Sequence, residues 1–171
     1  MTLSIALRTL ALAALSLTLV SCGFALRGND AVSASISELQ FYSEQTNSEL
    51  SRLLRRSLES AGISLTVANS IETQADTALL AIANEQLSSR PVSINPRARA
   101  AQIELVLSVD LALVRDEQNL IAAETLFVER TYFQDVENIS GNQEEAEIIS
   151  AEMRRELINQ IMRRLAAVSP T

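Results

Sequence analysis

The sequence predicts an α+β layer fold, with two helices packed on one face of a mostly antiparallel (mixed) sheet of about four strands. Two amphipathic stripes and one long alternating run carry that reading. Leu50, Leu53, Leu54, Leu58 and Ala61 recur at three- and four-residue steps, as do Ala146, Ile149, Met153, Leu157, Ile161 and Leu165. Such spacing places each set on a single helical face. Between them, Ile103, Leu105, Leu107, Val109, Leu111 and Leu113 alternate with Gln102, Glu104, Val106, Ser108, Asp110 and Ala112. A strict period of two over that length describes a strand with one buried face and one wetter face. A helix with a single apolar stripe needs a surface to lie on, and a one-sided sheet supplies it.

Taken in order, the elements begin with Ile36 to Tyr42, a breaker-free run read as the first strand. Ser43 to Asn47 form a turn, and Ser48 or Asn47 caps a helix over 47–61 by accepting a bond from a first-turn N–H. Gly62 stops that helix, because glycine enters the left-handed region without strain. Ile63 to Val67 alternates as a short strand does, and Ala68 to Thr77 is a polar, acidic connection. Ala78 to Leu87 reads as a strand. Ser88 to Arg99 reads as its end and a loop, since Pro91 and Pro96 cannot donate to a central ladder. The alternating run then turns at Arg115 to Asn119 and returns as Leu120 to Phe133, its antiparallel partner. Gln134 to Asn142 reads as a loop containing Gly141. Glu144, Glu145 and Glu147 start a last helix whose final turns carry Arg163 and Arg164, a polarity that suits the macrodipole. That acidic cluster is better explained as a helix start than as a metal site.

The N-terminal stretch divides the chain. Met1 to Arg8 carries one positive charge, and Leu10 to Val20 is apolar apart from Ser16 and Thr18. This run falls short of the roughly 17–25 residues needed to span a bilayer, and it has the form of an export signal. The only cysteine, Cys22, follows it. Leu19-Val20-Ser21-Cys22 resembles the lipobox of bacterial lipoproteins, in which that thiol is alkylated by diacylglycerol and the freed amine acylated. An unpaired thiol in an oxidising compartment is otherwise awkward. The expected organisation is a signal peptide over 1–21, a lipidated lead-in over 22–35, and one α+β domain over 36–168. Gly23 stands where Asp would mark retention in the inner membrane, so sorting to the outer membrane is expected.

Composition excludes much. The formal net charge is −7, and losing Arg8 with the signal makes the remainder more acidic. Such a field repels nucleic acid, which is not an expected partner. The sequence has no His, and all 14 basic residues are Arg. Without His or Lys, and with Cys22 acylated, the usual general bases, nucleophiles and zinc ligands are missing. No catalytic residue, metal or cofactor is expected.

The lipobox, the opening Cys-Gly-Phe-Ala-Leu-Arg, the strand–helix start closed by Gly62 and the long hairpin are similar to those of the lipopolysaccharide-assembly lipoprotein family LptE. The segment Phe127 to Phe133 and the end Gln160 to Leu165 extend the likeness over nearly the whole mature chain. The resemblance implies a plug inside the lumen of the large outer-membrane barrel LptD, on the periplasmic side. It assists the barrel's assembly and touches lipopolysaccharide on its way to the outer leaflet. It also implies basic lipid contacts in two loops. The loop before the long hairpin supplies Arg90, Arg97 and Arg99, with Pro96 where an Arg is expected. The loop 134–142 supplies no basic residue. Arg97 and Arg99 are either forked phosphate donors or merely solvated charges.

Arg130, between Glu129 and Thr131, is expected in a cross-strand ion pair. Tyr42, Tyr132 and Phe133 belong either to the core or to a surface facing a partner. Two other functions share this composition: activation of a cell-wall synthase, and an auxiliary subunit of an ABC lipid transporter. The first calls for a long tether after the cysteine, whereas Asn29 to Ser35 spans at most about 25 Å.

Overall fold

The computed structural model describes residues 36–72, 76–94, 100–135 and 137–168. Strand β1 (Glu38–Ser43) is followed by helix α1 (Glu49–Ser60) and strands β2 (Ser64–Val67), β3 (Ala78–Ile94), β4 (Ala100–Arg115) and β5 (Gln118–Phe133); helix α2 (Ile139–Ala167) comes last. The five strands form one sheet in the order β2-β1-β3-β4-β5. β1 runs parallel to both its neighbours, and β3, β4 and β5 are antiparallel. This is the expected α+β layer with one strand more than the expected count, because the short segment after Gly62 does pair.

Alternation in β4 decides which face is covered. Leu105, Leu107, Val109, Leu111 and Leu113 are buried under the helices, joined by Leu126 and Val128 of β5 and by Leu39, Phe41, Leu80 and Ile82 from β1 and β3. Leu50, Leu54 and Leu58 of α1, and Met153, Leu157, Ile161 and Leu165 of α2, close the core from above with no measurable exposure. Ser48 caps α1, its Oγ accepting from the Ser51 amide at 3.0 Å. Gly62 follows the helix with φ 81°, the left-handed conformation that ends it. Ser51 is also buried and bonds Ser43 across 2.6 Å, fastening the end of β1 to the first turn of α1.

Three expectations are corrected. β3 does not end near Leu87 but continues to Ile94, with Pro91 opposite Ile103. β1 pairs with β3 only as far as Ser43 and Ile82. Beyond that point the described residues border β3 on the β4 side alone, and the register shifts between Pro91 and Ser93. A proline is tolerated at such an edge or bulge because no neighbour needs its missing N–H.

The last helix begins at Ile139, inside the segment read as a loop. Asn138 caps it, its Oδ1 accepting from the Gly141 amide at 3.0 Å. A Cβ on Gly141 would lie 2.4 Å from Asn138 Nδ2, so glycine here makes room for the cap. Asn142 then bonds Asp135 twice, its Oδ1 accepting from the Asp135 amide at 2.9 Å and its Nδ2 donating to the Asp135 carbonyl at 2.6 Å. Glu144, Glu145 and Glu147 therefore fall past the first turn, which holds no acidic residue, while Arg164 does occupy the last turn.

Arg130 pairs not across the strands but with Glu156 of α2. Even-numbered residues of this part of β5 point to the helix side, and α2 offers the nearest carboxylate. A parallel tie joins Arg164 of α2 to Glu124 of β5 at 2.5 Å. Both pairs are substantially exposed, and each contributes no more than about 1 kcal/mol.

Candidate functional site at the extended end of the sheet

β3, β4 and β5 reach well past α1, leaving a ribbon crossed by α2 alone. Its outer face, away from the helices, is mostly polar. Arg90 of β3 faces Glu104 of β4 across the register, and Arg90 Nε donates to Glu104 Oε2 at 2.5 Å. That hydrogen bond, then the Glu104 charge, and more weakly that of Glu129, raises the Arg90 pKa above its ordinary value. Arg90 thus stands exposed but already partnered by a carboxylate. Nearer α1, the Asp110 carboxylate accepts from Thr125 Oγ1 and Asn84 Nδ2, each at 2.6 Å. Those two donors, Thr125 first, hold its pKa below the ordinary carboxylate value. Phe127 and Phe133 are the large apolar side chains exposed on β5, and Phe133 sits opposite Gln102 at the ribbon's end. Tyr132, one residue earlier, packs against the core.

The structure therefore places one of the three expected arginines. Arg97 and Arg99, in the connection from β3 to β4, lie outside the described residues, as does Cys22.

On the helix side of the same ribbon is a groove of about 600 Å³ that the sequence did not single out. Leu87, Ser88 and Ser89 of β3 and Leu105 of β4 line the sheet side. Ala146, Ser150 and Ala151 of α2 keep it open by being small, and Glu49 of α1 and Arg154 of α2 meet at one end at 3.1 Å. Arg154 Nε is buried there and donates to nothing. The available sequence signal was a charged residue immediately beside Met153 on the apolar stripe of the last helix.

Among the described residues no group of His, Cys, Asp or Glu is placed to hold a metal ion. What the fold presents is surface: a rigid, mostly polar ribbon face, a partnered arginine near its tip, and a small-residue groove. It defines a small α+β domain built around an extended antiparallel ribbon, suited to binding.

A family model described as "LptE: Lipopolysaccharide-assembly" matches residues 33–165. The chain belongs to that family, and with it comes a role in lipopolysaccharide assembly. A relative from Photorhabdus laumondii, an LPS-assembly lipoprotein LptE, is 27% identical over 94% of this chain and 85% of its own length. One from Yersinia pestis is 28% identical over 94% of this chain and 75% of its own. Among solved structures, rare lipoprotein B from Shewanella oneidensis has TM-score 0.64 at 23% identity, covering 76% of this chain and 94% of that one. A minor lipoprotein from Acinetobacter baumannii has TM-score 0.59 at 17% identity, covering 77% and 91%. These two likenesses bear on the fold.

Proposed function

We propose that the chain is an outer-membrane lipoprotein, anchored through Cys22, that partners and plugs an LptD-type barrel and assists passage of lipopolysaccharide to the outer leaflet. The family match over residues 33–165, directly behind a lipobox, carries the reading. The chemistry of the surface supports it. Gln102, Glu104, Ser108, Asp110, Thr125, Glu129 and Thr131 make the ribbon's outer face polar, which suits the water-lined interior of a large barrel. The chain carries no His or Lys for catalysis. One acyl chain gives only marginal membrane attachment, whereas the multiple chains of a processed lipoprotein make release negligible.

Arg90, Arg97 and Arg99 are the proposed lipopolysaccharide contacts. Arg90 arrives there partly neutralised by Glu104, so Arg97 and Arg99 supply most of the phosphate attraction.

Co-purification in mild detergent is the test. An LptD-type barrel should accompany the wild-type chain, and Cys22→Ala should leave a folded domain that leaves the membrane when the barrel is absent. Recovery of a peptidoglycan synthase or an ABC component in place of a barrel would overturn the proposal.

A further inference from the structure

The free edge of β3 and the groove beside it form one feature. β1 ends against Ile82, while β3 runs on to Ile94 with no strand in the row β1 vacates, among the described residues. The first residues of that open edge are closed by side chains of the turn after β1. The Asn84 amide donates to Glu44 Oε2 at 2.9 Å, and Gln45 Nε2 donates to the Glu85 carbonyl at 3.0 Å. Asn84 has φ 51°, and a register shift separates Ala83 from Gln86. At the far end Pro91 removes a donor and a second shift follows it.

Between these stops, Gln86 to Arg90 keep unbroken register with Ser108 to Glu104 of β4, and all five are exposed. Bulges and prolines are the usual devices for blunting an edge. Here they bound a short regular stretch and leave its middle open. The groove lies beside that middle, with Leu87, Ser88 and Ser89 on its wall and Arg154 at its end, paired with Glu49 and with its buried Nε unbonded.

We propose that Gln86–Arg90 is a docking edge for an extended segment of a partner polypeptide, which adds a strand in the row that β1 leaves empty. Backbone groups on the outward side of β3 supply the ladder. Alternate side chains of the added strand enter the groove between Leu87, Leu105 and the small residues Ala146 and Ala151. An acidic side chain among them accepts from Arg154 Nε. The partner stretch is therefore about five to seven residues long, apolar at alternate positions, with one carboxylate at the α1 end. The site shares only Arg90, its last residue, with the arginines proposed for lipopolysaccharide, and it stands whether or not the barrel partnership does.

The test uses the whole mature chain and a synthetic peptide of about seven residues that alternates Val and Thr and carries one Asp. The same peptide N-methylated on alternate amides serves as the control that cannot form a ladder. At saturation, the exchange of outward amides within Gln86–Arg90 should slow by about tenfold or more, with the β5 edge unchanged. The methylated peptide should do nothing. Ala151→Phe, which fills the groove, should remove the protection. In Arg154→Gln, which leaves the groove open, the Asp peptide should lose its advantage over an Asn analogue. No slowing at Gln86–Arg90, equal slowing by both peptides, or slowing confined to β5 would each overturn the proposal.

Discussion

Replacing Leu157 by Ala tests whether the inner stripe of α2 is what holds the long helix to the ribbon. Leu157 is fully buried, and so are Met153 and Ile161 about one turn to either side. With both neighbours anchored, the helix cannot settle into the space left by the lost atoms, so the transfer loss and the cavity penalty add. Leu-to-Ala changes of this kind cost about 2.7–5 kcal/mol, and about 3 kcal/mol is expected here. Unfolding entropy of about 2.1 cal/mol/K per residue over roughly 130 residues converts that to a fall in Tm of about 11 °C. Ile148 on the same helix is 55% exposed. Ile148→Ala should therefore change stability by less than about 0.5 kcal/mol. Urea titrations followed by circular dichroism, with equal slopes for both variants, give the comparison. A Leu157→Ala loss below about 1 kcal/mol, or equal losses for the two variants, would refute the assignment of the stripe.

The β4–β5 turn holds Asp116 and Glu117 both at positive φ, 46° and 66°. Glu117→Gly should therefore stabilise the domain by about 1 kcal/mol in chemical denaturation, since glycine relieves the left-handed strain. Asp110 is more acidic than an ordinary carboxylate because its ionised form accepts bonds from Thr125 and Asn84. Its contribution to stability is complete above the ordinary value of 3.8 and disappears as pH falls through the lowered native value. Carbon-detected NMR titration should place the Asp110 midpoint below 3.8 in the wild type and move it upward in Thr125→Val. Arg97→Asp combined with Arg99→Asp should weaken binding of purified lipopolysaccharide while leaving the fold intact; unchanged binding in a pull-down would remove those residues from the proposed contact.

Much of the fold was legible because β4 and the two helices each bury one face, and burial writes its period into the sequence. Leu105 to Leu113 needed no other information. The sequence misleads where a residue's type says less than its neighbours do. Pro91 signals a break only if a strand lies beyond it, and the short pairing of β1 that removes that strand is a tertiary fact. Ser140, Gly141 and Asn142 have the composition of a loop, yet the Asn138 cap and the Asn142–Asp135 bonds make them the first turn of α2. Alternation along β5 offers Arg130 strand partners, whereas Glu156 comes from a helix whose rotation over β5 no local pattern specifies. The groove was least visible of all. It depends on where Ala146, Ser150 and Ala151 come to rest against Leu87 and Leu105, residues far away along the chain.

α2 is the last described element to be made, and it covers most of the inner face of β4 and β5. Until its final turns leave the ribosome, Leu107, Val109, Leu126 and Val128 have no lid, and the hairpin alone is too thin to persist. A nascent chain of this design stays loose for as long as its C-terminal portion is unfinished. If residues 1–21 act as the expected export signal, that delay is useful, because a translocation channel that accepts only unfolded chains meets one that has not yet been able to close.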